Sequence, residues 1–204
     1  MHFNNLFLHN QKQFLDKFGL KQEVIWIEEL SELIQAISKM ERGQDKRDNL
    51  LEELADSLIC LEQLDIRLHT ILKAGLLEKD YNELYIEASN KYRYIKEDKY
   101  LDEISWINSI AKLISSLSVF VIDDRRRDEK KDYHFDMDNL AFLIWFTKND
   151  NKREGSIITS IYDVFDEIIN KYNMTNTEIQ NMIDYKYERN CKRSNITVDL
   201  KDIK

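Results

Sequence analysis

The sequence predicts an all-α protein, and three observations predict it together. Among 204 residues there is no proline and there are only four glycines, so little in the chain breaks a helix. Leu, Ile, Glu and Lys, which helices accept readily, are abundant. Apolar residues recur at three- and four-residue intervals, as in Val24, Ile27, Leu30, Ile34 and Ile37, which gives a helix one apolar face. A hydrophobic fraction of 43% permits a core, and 33% charged residues leave a heavily solvated exterior. The length suits one substantial domain or two small ones.

A first helix is expected over Asn10–Phe18, ended by Gly19 as C-cap. The second runs from about Lys21 to Met40, and Gly43 closes it. The third opens at Asp48 or Asn49, both good N-cap types, and reaches about Leu72 before Gly75. A fourth, Asp80 to Tyr94, carries Tyr81, Tyr85, Tyr92 and Tyr94. The fifth spans Leu101 to Ile122, and the charge run Asp123–Asp132, DDRRRDEKKD, is expected as a solvated loop. Asn139–Phe146 is a short apolar piece whose type the sequence leaves open. Gly155 precedes a helix over Ser156–Tyr172. Thr175 with Glu178 three residues on has the pattern of a capping box and opens the last helix, about Asn176–Arg193.

The two halves echo each other. A displacement of 80 residues lays Glu23–Met40 over Glu103–Phe120, with six of eighteen positions identical. These are Glu23/Glu103, Trp26/Trp106, Ile27/Ile107, Leu33/Leu113, Ile34/Ile114 and Ser38/Ser118. A displacement of 107 lays Leu54-Ala55-Asp56 over Ile161-Tyr162-Asp163, with Glu52 and Glu53 facing Thr159 and Ser160. Glu28, Glu29 and Glu32 meet Asn108, Ser109 and Lys112, so the repeat keeps packing residues and drops carboxylates. The expectation is a degenerate tandem repeat of a helix-pair unit. Residues 1–98 form an active half and 99–204 a supporting half, packed as one domain.

A formal charge of −8 argues against a nucleic-acid polymer as partner, though not against a single nucleotide carried with Mg²⁺. Cys60 and Cys191 lack CxxC spacing and read as reduced thiols. The start, Met1-His2-Phe3-Asn4-Asn5, has no basic leader, and no apolar run approaches membrane-spanning length. The expectation is a soluble cytoplasmic protein with no membrane partner.

Two carboxylate clusters dominate the first half: Glu28-Glu29-x-x-Glu32 and Glu52-Glu53-x-x-Asp56. Residues three or four apart share a helix face, so Glu29 pairs with Glu32 and Glu53 with Asp56. If the joint Arg42–Arg47 folds one helix back on the other, four carboxylates converge. An all-oxygen set without His or Cys is what Mg²⁺ prefers. A di-iron bundle would need Glu-x-x-His motifs, and none of His2, His9, His69 and His134 has a Glu three residues earlier.

The pattern E-E-x-x-E followed by E-x-x-D resembles the signature of the all-α nucleoside triphosphate pyrophosphohydrolases. That superfamily holds MazG-like enzymes, dimeric dUTPases and phosphoribosyl-ATP pyrophosphohydrolases. The text from Glu23 to Leu64 looks most like the MazG-like branch, and the remainder matches in outline. The resemblance implies a helical bundle of the MazG-like or dimeric dUTPase type and a homodimer or larger homo-oligomer. It implies Mg²⁺, with Mn²⁺ as substitute, on Glu29, Glu32, Glu53 and Asp56, and a water oriented or deprotonated by Glu28 or Glu52. Lys186, Asn190 and Arg193 resemble the K-x-x-x-N-x-x-R segment that holds the triphosphate in dimeric dUTPases. Lysine offers a point charge there and arginine a two-pronged donor. Lys91 and Arg93 are a second candidate for that task. The glycine-rich motif that follows in dUTPases is missing after Ser194, so strict dUTP specificity is not implied.

The expected reaction is hydrolysis of a (deoxy)nucleoside triphosphate to monophosphate and pyrophosphate, by water attack at the α-phosphorus. A rival is a nucleotide-sensing or scaffold protein that kept the fold without turnover. A third reading is a helical interaction module. The base-binding residues stay unknown; Asn10, Gln11 and Gln13 are the only polar side chains offered for that role.

Overall fold

A computed structural model of the chain describes residues 6–73, 80–92, 102–129, 134–148 and 160–197. Among them are eight helices and no strand. In order these are α1 (Lys12–Phe18), α2 (Leu20–Glu41), α3 (Arg47–Lys73), α4 (Tyr81–Tyr92), α5 (Glu103–Glu129), α6 (Met137–Thr147), α7 (Ile161–Lys171) and α8 (Asn176–Ser194). The all-α expectation holds. The glycines Gly75 and Gly155 lie outside the described residues.

Helices α2 and α3 form an antiparallel pair because the chain between them closes tightly. Gly43 takes φ +64°, a left-handed conformation that costs glycine little. Its N–H donates to Met40 O at 2.9 Å and the Gln44 N–H to Lys39 O at 2.9 Å, the bond pair of a Schellman ending. Helix α3 then runs through the middle of the molecule. It packs on α2, α1, α6 and α8, and α2 packs on α5 along its other side. Every residue from Leu54 to Leu61 on α3 is buried. One core joins both halves, from Trp26 and Leu54 to Leu113, Phe165 and Ile183. Of the aligned positions, Trp26 and Trp106 are buried, as are Leu33 and Leu113, and Ile34 and Ile114 are half-buried, whereas Glu23 is buried and Glu103 half-buried.

At the far end Arg47 clamps the α2–α3 turn to the α7–α8 corner. Its guanidinium donates to Tyr172 O at 2.9 Å, Asn173 O at 2.9 Å and both Glu178 oxygens at 2.8 and 2.9 Å. Glu178 also completes the expected capping box with Thr175. The Arg47 guanidinium, then the Thr175 bonds, pull the Glu178 carboxyl down to about 2.

Over residues 123–129 the charge run after Ile122 is helix rather than a solvated loop, and residues 130–132 lie outside the described residues. Helix α5 continues to Glu129, and Asp123 and Asp124 are 6% and 0% exposed. The reason lies across the bundle. Arg67 on α3 donates Nε to Asp124 Oδ2 at 2.9 Å and to Glu23 Oε1 at 3.2 Å, and Arg127 reaches Asp124 Oδ1 at 2.9 Å. Asp123 accepts the Asp136 N–H at 2.9 Å and so sets the start of α6. Buried acids with built-in partners look, in sequence, like any charged stretch. The open segment near Asn139 is helix α6, capped by Asp136 on the Asn139 N–H. A second correction concerns length. Glu103–Arg127 is long and apolar enough to cross a membrane by size and composition. One face of it joins the core through Trp106, Ile110, Leu113, Leu117 and Phe120, while Ile104, Val119 and Ile122 are exposed.

Glu23 is 1% exposed, and its Oε2 meets no donor. Burial, followed by the Asp124 carboxylate, raises its carboxyl from 4.5 to about 8. Burial thus favours the protonated form of this carboxyl. Because the folded pKa is raised, this contribution to stability is complete below about pH 4.5 and is lost as pH rises through about 8. Glu23→Gln is expected to melt progressively higher than the parent chain between about pH 5 and about pH 8. Arg67→Met, which strands two buried acids, should cost about 3 kcal/mol or more in chemical denaturation.

Candidate metal centre

The paired helices bring the two carboxylate clusters face to face. Glu29 from α2 and Glu53 and Asp56 from α3 place one carboxylate oxygen each within 4.8 Å of the others. Asp56 is buried, whereas Glu29 and Glu53 are half-buried. On a helical wheel Asp56 turns away from Leu51, Leu54 and Leu58, where a surface helix would meet water. It is buried because α8 covers that face. Lys186 on α8, itself 3% exposed, sets its Nζ 2.5 Å from Asp56 Oδ2 and 3.5 Å from Glu52 Oε1.

The other expected residues divide. Glu32 is exposed and stands at the edge of the trio, yet its charge is felt by both Glu29 and Glu53. Glu28 is exposed beside it. Glu52 is held by Lys186 rather than left free. On α8 Asn190 is half-buried and Arg193 exposed, and Arg193 makes no ion pair among the described residues. The cation that joins Lys186 is Arg189, whose Nη2 lies 4.0 Å from Asp56 Oδ2 and whose Nε is buried without a partner. Arg189 is not part of the K-x-x-x-N-x-x-R pattern, but its i+3 spacing from Lys186 puts it on the same face of α8. Lys91 is tied to Asp138 at 2.7 Å, and Arg93 lies outside the described residues.

The polar side chains suggested for a base serve the fold. Asn10 accepts the Lys12 N–H at 3.1 Å. Gln13 donates to the Tyr187 hydroxyl at 2.7 Å. Gln11 is buried and accepts from Gln63, which in turn accepts the Trp26 indole N–H at 2.9 Å.

The electrostatics of the trio are out of balance. Burial first, then the charges of Asp56, Glu32 and Glu53, raise the Glu29 carboxyl to about 7. Burial and Glu32 raise Glu53 likewise to about 7, and Asp56 is also pushed up by burial, against the pull of Lys186. The Lys186 ammonium and the Arg189 guanidinium 4.0 Å from Asp56 do not neutralise three acids flanked by Glu32 and Glu52. A divalent cation would, and the donor set is the all-oxygen one that Mg²⁺ takes. Glu29, Glu53 and Asp56 would hold such an ion once their oxygens, now within 4.8 Å of one another, drew closer together. Cys60, one turn beyond Asp56, is buried, and its thiol is pushed well up, too inert to compete as a ligand. The chain matches no family model, no curated protein and no solved structure.

Raised carboxyls contribute stability that is complete below their unfolded value near 4.5 and is lost as pH rises through about 7. In chelator the melting temperature is therefore expected to fall between about pH 5 and about pH 8, less steeply in Glu53→Gln. Mg²⁺ should lift it by several degrees at about pH 8 and by much less at about pH 5. An equal lift at both would mean that the ion binds elsewhere.

Proposed function

We propose that the chain is a Mg²⁺-dependent nucleoside triphosphate pyrophosphohydrolase, releasing pyrophosphate and a nucleoside monophosphate. The observation that carries this reading is the convergence of Glu29, Glu53 and Asp56 from two helices, with acid charge in excess of the Lys186 ammonium. The resemblance of the same stretch to the all-α pyrophosphohydrolases supports it independently. Glu29, Glu53 and Asp56 hold the ion, with Glu32 joining from the rim. Bound there, Mg²⁺ supplies positive charge to phosphate oxygens and acidity to a water.

The remaining work falls to the chain's own groups. Arg189 brings a guanidinium to α8, where it binds and orients triphosphate oxygens and offsets charge on the departing pyrophosphate, while Lys186 stays buried against Asp56 and Glu52. Asn190 and Arg193 extend that surface along the helix. Glu52, fixed by Lys186, orients the attacking water and takes its proton, and Glu28 stands near enough on α2 to share the task. In the second half the position matching Asp56 is Asp163, whose Oδ2 accepts the Ser160 N–H at 3.0 Å in the capping box of α7. A duplicated helix-pair unit with one working half accounts for that difference. Self-association into a homodimer, in a cytoplasmic setting, belongs to the same proposal.

One contact favours a second reading. Lys186 already occupies Asp56, so the cluster could serve to fasten α8 while nucleotides bind without turnover. A panel of canonical and modified nucleoside triphosphates with Mg²⁺, assayed for pyrophosphate, separates the two. Glu53→Gln and Asp56→Asn are expected to lower pyrophosphate release about 100-fold or more while circular dichroism shows a folded chain. Parent-rate release by folded variants would sink the hydrolase, and nucleotide binding without release would favour the sensor.

A further inference from the structure

The other side of α3 holds a chemistry that the acid centre does not use. At about 100° per residue, Leu58, Glu62, Asp65 and His69 fall roughly 180–240° around the helix from Asp56. All four line one cavity of about 630 Å³, walled by the N-terminal strand of chain at residues 6–9 and by the ends of α4, α6 and α7. That volume suits an organic molecule rather than a lone ion. Its walls include Leu6, Leu8 and Leu58, so the body of a ligand meets apolar surface.

The polar groups on these walls are arranged for a positive head. Asp65 is fixed from two sides: the Tyr81 hydroxyl donates to Oδ1 at 3.3 Å and His69 Nδ1 stands 3.3 Å from Oδ2. His69 and Tyr81 stack at 4.2 Å, which locks both rings. Glu62, one turn back, is half-buried and makes no hydrogen bond or ion pair among the described residues. Lys148, the ammonium on this wall, lies 3.5 Å over the Tyr85 ring. His9 is committed to Asp184 at 2.8 Å. Two carboxylates thus face the cavity, one of them without a donor. A half-buried carboxylate that lacks a donor is costly to keep and strengthens any donor that arrives.

We propose that this cavity is a second ligand site, separate from the acid centre, for a small organic cation with a flat apolar body and an amine or amidine head. The head lies between Glu62 and Asp65, and the body lies against Leu6 and Leu8. The site does not depend on the hydrolase reading and would stand if that reading fell.

Benzamidine is the probe, with neutral benzamide as its shape control, and binding to the full chain is followed by calorimetry and NMR. Saturable benzamidine binding is expected at millimolar concentration or below, with benzamide about tenfold weaker or more. Glu62→Gln with Asp65→Asn should weaken benzamidine by about tenfold or more, whereas Glu53→Gln should leave it unchanged. On the unaltered chain, which removes any question of folding, benzamidine should shift the His69 and Tyr162 ring resonances. The proposal is overturned by no saturation up to about 10 mM. It is equally overturned by equal binding of the amide, by shifts confined to other residues, or by a loss that follows Glu53→Gln instead.

Discussion

Everything polar in the middle of this bundle is governed by the burial of α3. A helix covered by α1, α2, α6 and α8 leaves the polar side chains on its covered face little access to water, so they find partners on other helices or shift their protonation. Asp56 finds Lys186, Gln63 finds Trp26 and Gln11, and Arg67 finds Glu23 and Asp124. These three stations lie along one side of α3, and each fixes a different neighbour: α8, then α1 and α2, then α5. The polar groups thereby set register in a core whose leucines and isoleucines alone would slide, a role for which buried polar pairs have precedent in helical assemblies.

The acid trio departs from this rule of full pairing, which is why it draws attention as a site. At other points charge closes locally, as in Arg47 with Glu178 and Arg127 with Asp124. At Glu29, Glu53 and Asp56 it does not, and the result is two carboxyls poised near neutrality. Titratable groups held away from their ordinary range by burial and by one another cluster where proteins do chemistry.

Much of the fold was legible because helices announce themselves locally. Apolar spacing placed α2, α3 and α5, glycines marked two joints, and Thr175 with Glu178 gave the start of α8. The convergence of Glu29, Glu53 and Asp56 was legible too, since motif spacing fixes which residues share a face. What escaped were consequences of packing between distant segments. The run after Ile122 carries buried anchors because Arg67, far away in sequence, meets it. Lys186 reads as a solvent-facing phosphate ligand until α8 is laid on α3. Arg193 fits the sequence pattern, but the geometry at Asp56 belongs to Arg189. No spacing rule on a single helix contains that information, because the deciding partner sits on another one.

The Lys186–Asp56 contact joins residues 130 positions apart. On a translating ribosome the three carboxylates would emerge roughly ten to twenty seconds before the ammonium that relieves them. Through that interval the nascent N-terminal helices must carry their acids protonated, hydrated or lent to a passing cation. Docking of the C-terminal helix is then the step that converts a loose acidic hairpin into an interior, and birth order places the stabilising charge last.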